Sequence, residues 1–246
     1  MAQASRLGLL NNFEKPFYAK LDELMEFQYF MGIDVQISRK CAYLVLNSKS
    51  MCVFSGWLEG GSKREICESL IKIINDLEMS KIAIGIDAPR VPLPAPREFF
   101  WNRNHWRLRI EGERGFGRHC EIILKSLKIA NPQFTPIRGE CPSWMELGFA
   151  LFSCLGDMEG VFEVFPAASY SILQDCTNPK VTIDFANFSP GPKDMIDACI
   201  SAITVLEYLE GRGCEVGGGD GLGSIILPRP IPIENAHPVL SWPNES

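Results

Sequence analysis

KIAIGIDAPR, residues Lys81 to Arg90, runs four apolar residues and a glycine into an acid, Asp87, and places a proline two residues later. YFMGIDVQ, Tyr29 to Gln36, ends an earlier apolar run on Asp34 in the same Gly-Ile-Asp setting. Both stretches have the length and apolar continuity of a buried strand. Carboxylates are rarely buried unless they are paired, hydrogen-bonded or bound to metal. Each Asp could simply open a turn, but a matched pair asks for more. If the two strands lie side by side and parallel, both acids stand at the same edge of the sheet. Ligands of open α/β sheets bind at that edge. Two such carboxylates repel each other, and a divalent cation between them removes the repulsion.

The rest of the chain supplies the frame. Tyr29–Val35, Cys41–Asn47 and Met51–Trp57 read as three strands with short polar breaks, an antiparallel meander. SKREICESLIKIINDLE places Ile66, Leu70, Ile73 and Ile74 on a helical period, with Ser62 as N-cap. A crossover helix before Ile82–Asp87 favours parallel pairing of that fourth strand. Ala88–Arg118 is long, weakly periodic and rich in proline and arginine, a pattern of functional or mobile loops. Helices are expected near Phe116–Ile129 and Ser143–Leu155, a fifth strand over Gly160–Pro166, and a helix from Pro192 through Leu209. GGGDGLGS fits neither a dinucleotide fingerprint nor a P-loop, and reads as a turn before a last strand, SIILP. Residues 1–27 read as an N-terminal extension with a helix around Ala19–Phe27, residues 28–230 as one α/β domain with a mixed sheet, and 231–246 as a tail.

Composition bounds the function classes. A chain of 246 residues, 46% hydrophobic and 22% charged, can bury a full core without staples. No stretch approaches the roughly 18 apolar residues of a membrane span, and the first thirty residues lack the apolar centre of a secretory signal. Nine scattered cysteines, with no C-x-x-C pair and no Cys/His cluster, read as reduced core thiols of a cytoplasmic protein. A net charge of −6 argues against wholesale coating of nucleic acid and leaves room for a local basic groove.

Other acids join the pair. KDMIDA carries Asp194 and Asp197 three residues apart, on one helix face. The helix dipole alone would favour Asp194 in a first turn, whereas Asp197 sits among Ile196, Ala198, Cys199 and Ile200. Glu163 lies inside an apolar strand, where alternation could also turn it to solvent. Glu121 reads as a helix-surface acid. Between Arg97 and Arg118, six arginines stand against Glu98, Glu111 and Glu113, with Trp101 and Trp106 interleaved. Arginines neutralise phosphates and tryptophans stack on bases, so Arg103, Arg107, Arg109 and Trp106 are candidates for a nucleic-acid face. The alternative is a solvated insertion whose tryptophans pack onto the domain. His105 reads as a loop histidine.

Taken in order, GIDV, GIDAPRVPLP, RHCE, FTPIRGECPSWMELG, EVFPAASYSIL, IDACISAITVLEYLEG and DGLGSIILP resemble the predicted-nuclease family of the ribonuclease H-like superfold, related to Holliday-junction resolvase-type nucleases, over roughly Tyr29 to Pro228. The resemblance implies a mixed five-stranded sheet of order 3-2-1-4-5, its first three strands antiparallel, flanked by helices and with a long insertion after strand four. It implies a metal-dependent nuclease cutting DNA or RNA through two Mg²⁺ or Mn²⁺ ions. Asp34, Asp87, Asp197 and Asp194 would hold them, with Glu163 acting behind. Sugar kinases and actin-like ATPases share the superfold, but they follow the first-strand Asp with a glycine-rich turn, and DVQISRK has no glycine. A non-catalytic member that binds nucleic acid or protein is the remaining alternative.

Overall fold

The computed structural model describes residues 27–76, 81–174, 193–231 and 237–243. β1 (Tyr29–Asp34), β2 (Ala42–Asn47) and β3 (Cys52–Trp57) form the antiparallel meander. Helix α1 (Lys63–Asp76) crosses over to β4 (Ile82–Asp87), which pairs parallel to β1. The long segment after β4 then folds into a two-stranded ribbon, β5 (Phe99–Asn102) and β6 (His105–Leu108). Helices α2 (His119–Ser126) and α3 (Ser143–Leu155) lead to β7 (Val161–Glu163), which pairs parallel to β4. α4 (Pro166–Gln174), α5 (Lys193–Leu209) and the hairpin β8 (Cys214–Gly217) with β9 (Ser224–Leu227) complete the α/β array.

The central sheet is mixed and five-stranded, in the order β3-β2-β1-β4-β7. The edge strand at Glu163 is therefore seventh in the chain and not fifth, because two strands of a separate ribbon, within residues 99–108, intervene where a loop is expected. α4 and β8 were not anticipated either, and the glycine-rich stretch is the β8–β9 turn. The helix expected around Ala19–Phe27 and the start expected at Pro192 fall outside the described residues, Phe27 excepted. Among the described residues no helix is long and apolar enough to cross a membrane. The eight cysteines described are free thiols, four of them buried, and Cys176 lies outside the described residues.

Alternation along the strands builds two cores. Met31, Ile33, Val45, Ile84 and Ile86 face Leu70 of α1 and Leu147 and Leu151 of α3. Phe30, Leu44 and Ala83 face Met195, Ala198, Ala202 and Val205 of α5. Each fully buried residue of this size contributes roughly 1.5–3 kcal/mol. A third cluster, around Cys120, Ile123, Ile172, Ile225 and Val239, ties α2, α4 and the β8–β9 hairpin together.

The glycine of each Gly-Ile-Asp now has a cause. Gly32 and Gly85 are partners across the β1–β4 ladder. A Cβ on Gly32 would lie 1.9 Å from Ala198 O and 2.4 Å from Ala202 N of α5. One on Gly85 would lie 2.7 Å from Val205 Cγ2 and 3.1 Å from Ser201 O. Neither glycine has positive φ, so the need is for space. Gly32→Ala drives a methyl into helix backbone and is expected to cost about 3 kcal/mol or more. Gly56→Ala on β3 meets only the Tyr43 ring, at 3.0 Å, and is expected to cost less than about 1 kcal/mol. Urea unfolding of both variants measures the difference, and equal costs would mean that α5 does not rest on Gly32.

Candidate active site

Alternation also decides where the two strand acids point. Asp34 is two residues from Gly32, and Asp87 two from Gly85, so both side chains leave the sheet on the α5 side. They are direct partners in the parallel ladder. Asp34 is only 3% exposed, and Asp87 is partly buried. The first turns of α5 bring two more buried acids, Asp194 and Asp197. Burial pushes the Asp34 carboxyl up to about 6, the Gln36 amide donating to it opposes that, and the charges of Asp197 and Asp194 add to it. Asp87 is held well above the ordinary carboxylate range, by burial first and then by repulsion from Asp34 and Asp197. The four expected aspartates are thus linked by repulsion, Asp34 with Asp197 and Asp194, and Asp87 with Asp34 and Asp197.

Cations answer part of this charge. Arg39, in the β1–β2 turn, donates from Nε and Nη2 to the two oxygens of Asp194, at 2.6 Å each. Lys193 Nζ donates to Asp197 Oδ2 at 2.5 Å, and the Tyr170 hydroxyl of α4 donates to Asp197 Oδ1 at 3.0 Å. No donor or cation among the described residues contacts the Asp87 carboxylate. Four carboxylates therefore face two cations, Arg39 and Lys193, which leaves two negative charges when all are ionised. One divalent cation carries that charge, and an all-oxygen donor set suits Mg²⁺ or Mn²⁺. Among the described residues no group of three or more His, Cys, Asp and Glu is arranged to hold a metal ion. The set matches such an ion in charge and donor type only, and holding one would require Asp197 to exchange Lys193 for it and the carboxylates to draw together. That exchange is cheap to make, because the Lys193 side chain is 74% exposed. Asp34, Asp87 and Asp197 would be the ligands, and Asp194 is committed to Arg39.

Glu163 stands at the same edge, as the ladder partner of Ile86, but in a different network. Both its oxygens accept from the Arg118 guanidinium, with Nη1 to Oε2 at 2.7 Å, and Oε2 also accepts from the Arg90 amide at 2.9 Å. Arg118 is 1% exposed and also donates to Glu121, from Nε at 3.0 Å and Nη2 at 2.8 Å. Glu121 is no surface acid: it is buried and accepts from Thr135 N at 2.8 Å and from the Thr135 hydroxyl. Burial raises the Glu163 carboxyl, and Arg118 works against the rise. Through Arg90 the network fixes the loop that follows Asp87, so Glu163 shapes the edge without a free oxygen edge for a ligand.

The arginine segment divides. Trp106 is packed inward: Nε1 donates to Ser241 O at 2.9 Å and Pro238 O at 3.2 Å, and its ring lies 5.0 Å from Trp242 and 5.2 Å from Trp101. Its expected role of stacking on a base is corrected accordingly. Arg107 is paired with Glu113 through both guanidinium nitrogens and lies 5.0 Å over Phe100, so it is not a free phosphate ligand. Arg109 is exposed and reaches Glu113 O at 3.3 Å, and Arg103 is exposed at the ribbon's tip.

Sequence reasoning missed Gln36, Arg39, Tyr170 and Lys193 at the acid cluster, and Arg118 behind it. Lys193 had a readable signal, four residues before Asp197 on one helix. Arg39 and Asp194 are 155 residues apart, which no local pattern encodes.

A carboxyl with a raised folded-state pKa favours folding most when protonated. Its stabilisation is complete below the unfolded value, about 3.9, and is lost as pH rises through about 6. The metal-free protein is therefore expected to lose stability over that window. Asp34→Asn should flatten the loss and be more stable at pH 7 by up to about 3 kcal/mol. Urea midpoints in EDTA across the window test this, and parallel pH slopes for both proteins would refute it. In comparisons with known proteins, no family model, no curated protein and no solved structure matches this chain, so its function is argued from this geometry.

Proposed function

We propose that this chain is a metal-dependent phosphodiester hydrolase acting on nucleic acid, built on a ribonuclease H-like sheet. The observation that carries it is the pairing of Asp34 with Asp87 in direct register, with Asp197 coupled to both from α5. Structural acids are normally paired with a cation, as Glu163 and Glu121 here share Arg118. Asp34 and Asp87 are held together unneutralised at the ligand-binding edge, and perturbed groups of that kind cluster at functional sites.

The chain's own groups divide the work. Asp34, Asp87 and Asp197 would hold the cation, and the Tyr170 hydroxyl keeps Asp197 oriented. Arg39 and Lys193, both largely exposed, stand at the rim, where a phosphodiester would meet them. A phosphate there would draw Lys193 away from Asp197 and free that acid as a ligand. A bound divalent ion supplies a Lewis acid that acidifies water and screens the phosphate charge. The charge left on the acids matches one divalent ion; a second would need a ligand that Asp194, clamped by Arg39, does not offer.

The same ion pairs favour one other reading, a non-catalytic protein in which Asp34 and Asp87 share a proton and no metal binds. Metal titration separates the two. Millimolar Mn²⁺ is expected to raise the thermal midpoint, by roughly 2.7 kcal/mol of stability when free metal is about a hundred times its dissociation constant. Asp87→Asn should remove the shift. Asp197→Asn should abolish Mn²⁺-dependent cleavage of DNA and RNA substrates while keeping the fold. A midpoint indifferent to metal, with no cleavage, would leave the non-catalytic reading.

A further inference from the structure

The ribbon β5–β6 has a base and a tip of opposite character. Its base is locked. Trp101 and Trp106 are cross-strand partners with rings 5.2 Å apart. Phe99 lies 6.0 Å from Trp242, edge to face. Phe100 is covered by two guanidinium groups, Arg97 at 4.3 Å and Arg107 at 5.0 Å. The tip, Asn102-Arg103-Asn104-His105, is exposed at every residue, and each side chain carries hydrogen-bonding atoms. Arg103 has no carboxylate partner among the described residues. It takes φ 58°, the left-handed region, at the first of two turn positions, where glycine is the usual occupant. A long charged side chain is thus kept at the apex in a conformation that costs it stability.

We infer that this ribbon is a groove reader for B-form duplex DNA, with Arg103 and its two flanking asparagines addressing base edges. It rests on the nucleic-acid reading above and specifies the substrate. Charge favours the partner: Arg97, Arg103, Arg107, Arg109 and Arg114 against Glu98, Glu111 and Glu113 make the segment net positive on a chain of net charge −6. Shape favours a duplex, because the major groove admits a two-stranded β-ribbon. Chemistry favours base edges, since arginine pairs bidentately with guanine and asparagine with adenine. Single strands are disfavoured because they are gripped by exposed aromatics, and none of Phe99, Phe100, Trp101 and Trp106 is exposed here. Duplex RNA is disfavoured because its deep, narrow major groove cannot be entered.

The test is binding of the full chain, in EDTA so that nothing is cut, to one sequence as duplex DNA, duplex RNA and single strand. Duplex DNA is expected to bind at least about tenfold tighter than the other two. Arg103→Gly relieves the backbone and removes the guanidinium, so it should melt no lower than the parent and bind duplex DNA at least about tenfold more weakly. The slope of log affinity against log salt should fall by less than about 0.9, the value of one phosphate contact, because Arg103 addresses base edges. Arg103→Lys keeps the charge without the planar fork. It should keep the salt slope and lose the preference among duplexes drawn from a randomised pool. Parent-like binding by Arg103→Gly, or a preference for RNA or single strands, overturns the inference. So does absence of DNA binding, including the case in which exposed Leu108 and Ile110 dock a protein instead. Mn²⁺-dependent cleavage of the same duplex by the parent and by Asp87→Asn is scored separately. Tip-dependent binding without cleavage keeps the groove reader and overturns the nuclease. Asp87-dependent cleavage with tip-independent binding does the reverse.

Discussion

Helix α5 touches the sheet backbone to backbone, over Gly32 and Gly85. Most helix–sheet contacts are spaced by side chains, and here the two central strands supply none at the crossing point. Ala198, Ser201 and Ala202 can then approach β1 directly, and the helix axis is held close to the sheet. Everything at the acid edge follows from that closeness. The residue two after each glycine points to the same side, so Asp34 and Asp87 emerge under the start of α5. The turn of α5 before Ala198 carries Asp197, and the turn before that carries Asp194. Larger residues at the glycine positions would lift the helix and separate the four acids.

Two buried electrostatic systems lie at neighbouring strand ends and are solved in opposite ways. Arg118, Glu121 and Glu163 form a closed network in which the guanidinium serves both carboxylates, and Thr135 and the Arg90 amide take up remaining oxygen capacity. Such a network is costly to break, because either partner alone would be a buried unpaired charge. Asp34 and Asp87 are left open instead: one amide donor, from Gln36, serves the pair. Burial first, and then repulsion between the acids, raises the pKa of both. The contrast lies in the partners: Glu121 and Glu163 share a buried guanidinium, whereas buried Asp34 and partly buried Asp87 have none.

The central sheet was legible because its information is local. Two apolar runs ending in Gly-Ile-Asp, short polar breaks between the first three strands and one amphipathic helix specify a meander, a crossover and a pair of acids. The ribbon was not legible for a physical reason. FFWN does not alternate between apolar and polar residues, HWRL alternates over four residues only, and the turn between them has arginine where glycine would mark it. Its stability comes from Trp242, Pro238 and Ser241, more than 130 residues away. Glu163 and Glu121 were ambiguous for the same reason, because only the fold brings Arg118 between them. Asp197 could be singled out by its apolar neighbours, but the Tyr170 and Lys193 bonds that hold it could not be read together from one helix.

The ribbon and the acid edge are joined through buried residues. The ring of Trp106 lies 5.9 Å from His119, the first residue of α2. His119 accepts from Gly219 N at Nδ1, 3.2 Å away, so its proton sits on Nε2, which donates to Val239 O at 2.9 Å. Burial lowers its pKa, and the Gly219 bond requires the neutral ring, since a proton on Nδ1 would oppose the Gly219 N–H, whereas the Val239 bond works against the lowering. Asp220 caps the same helix start, accepting from His119 N at 2.7 Å. The preceding residue is Arg118, whose guanidinium holds Glu163, and Glu163 in turn holds the amide of Arg90, three residues after Asp87. The histidine thus fixes the β8–β9 turn, the C-terminal segment and the ribbon's base to the first turn of α2, and Arg118 fixes that turn to the sheet. A ribbon mounted this way keeps its orientation relative to the acids without touching them. The insertion after β4 is thus anchored to the strand ends through buried neutral and paired groups, and the exposed tip takes no part in that anchoring.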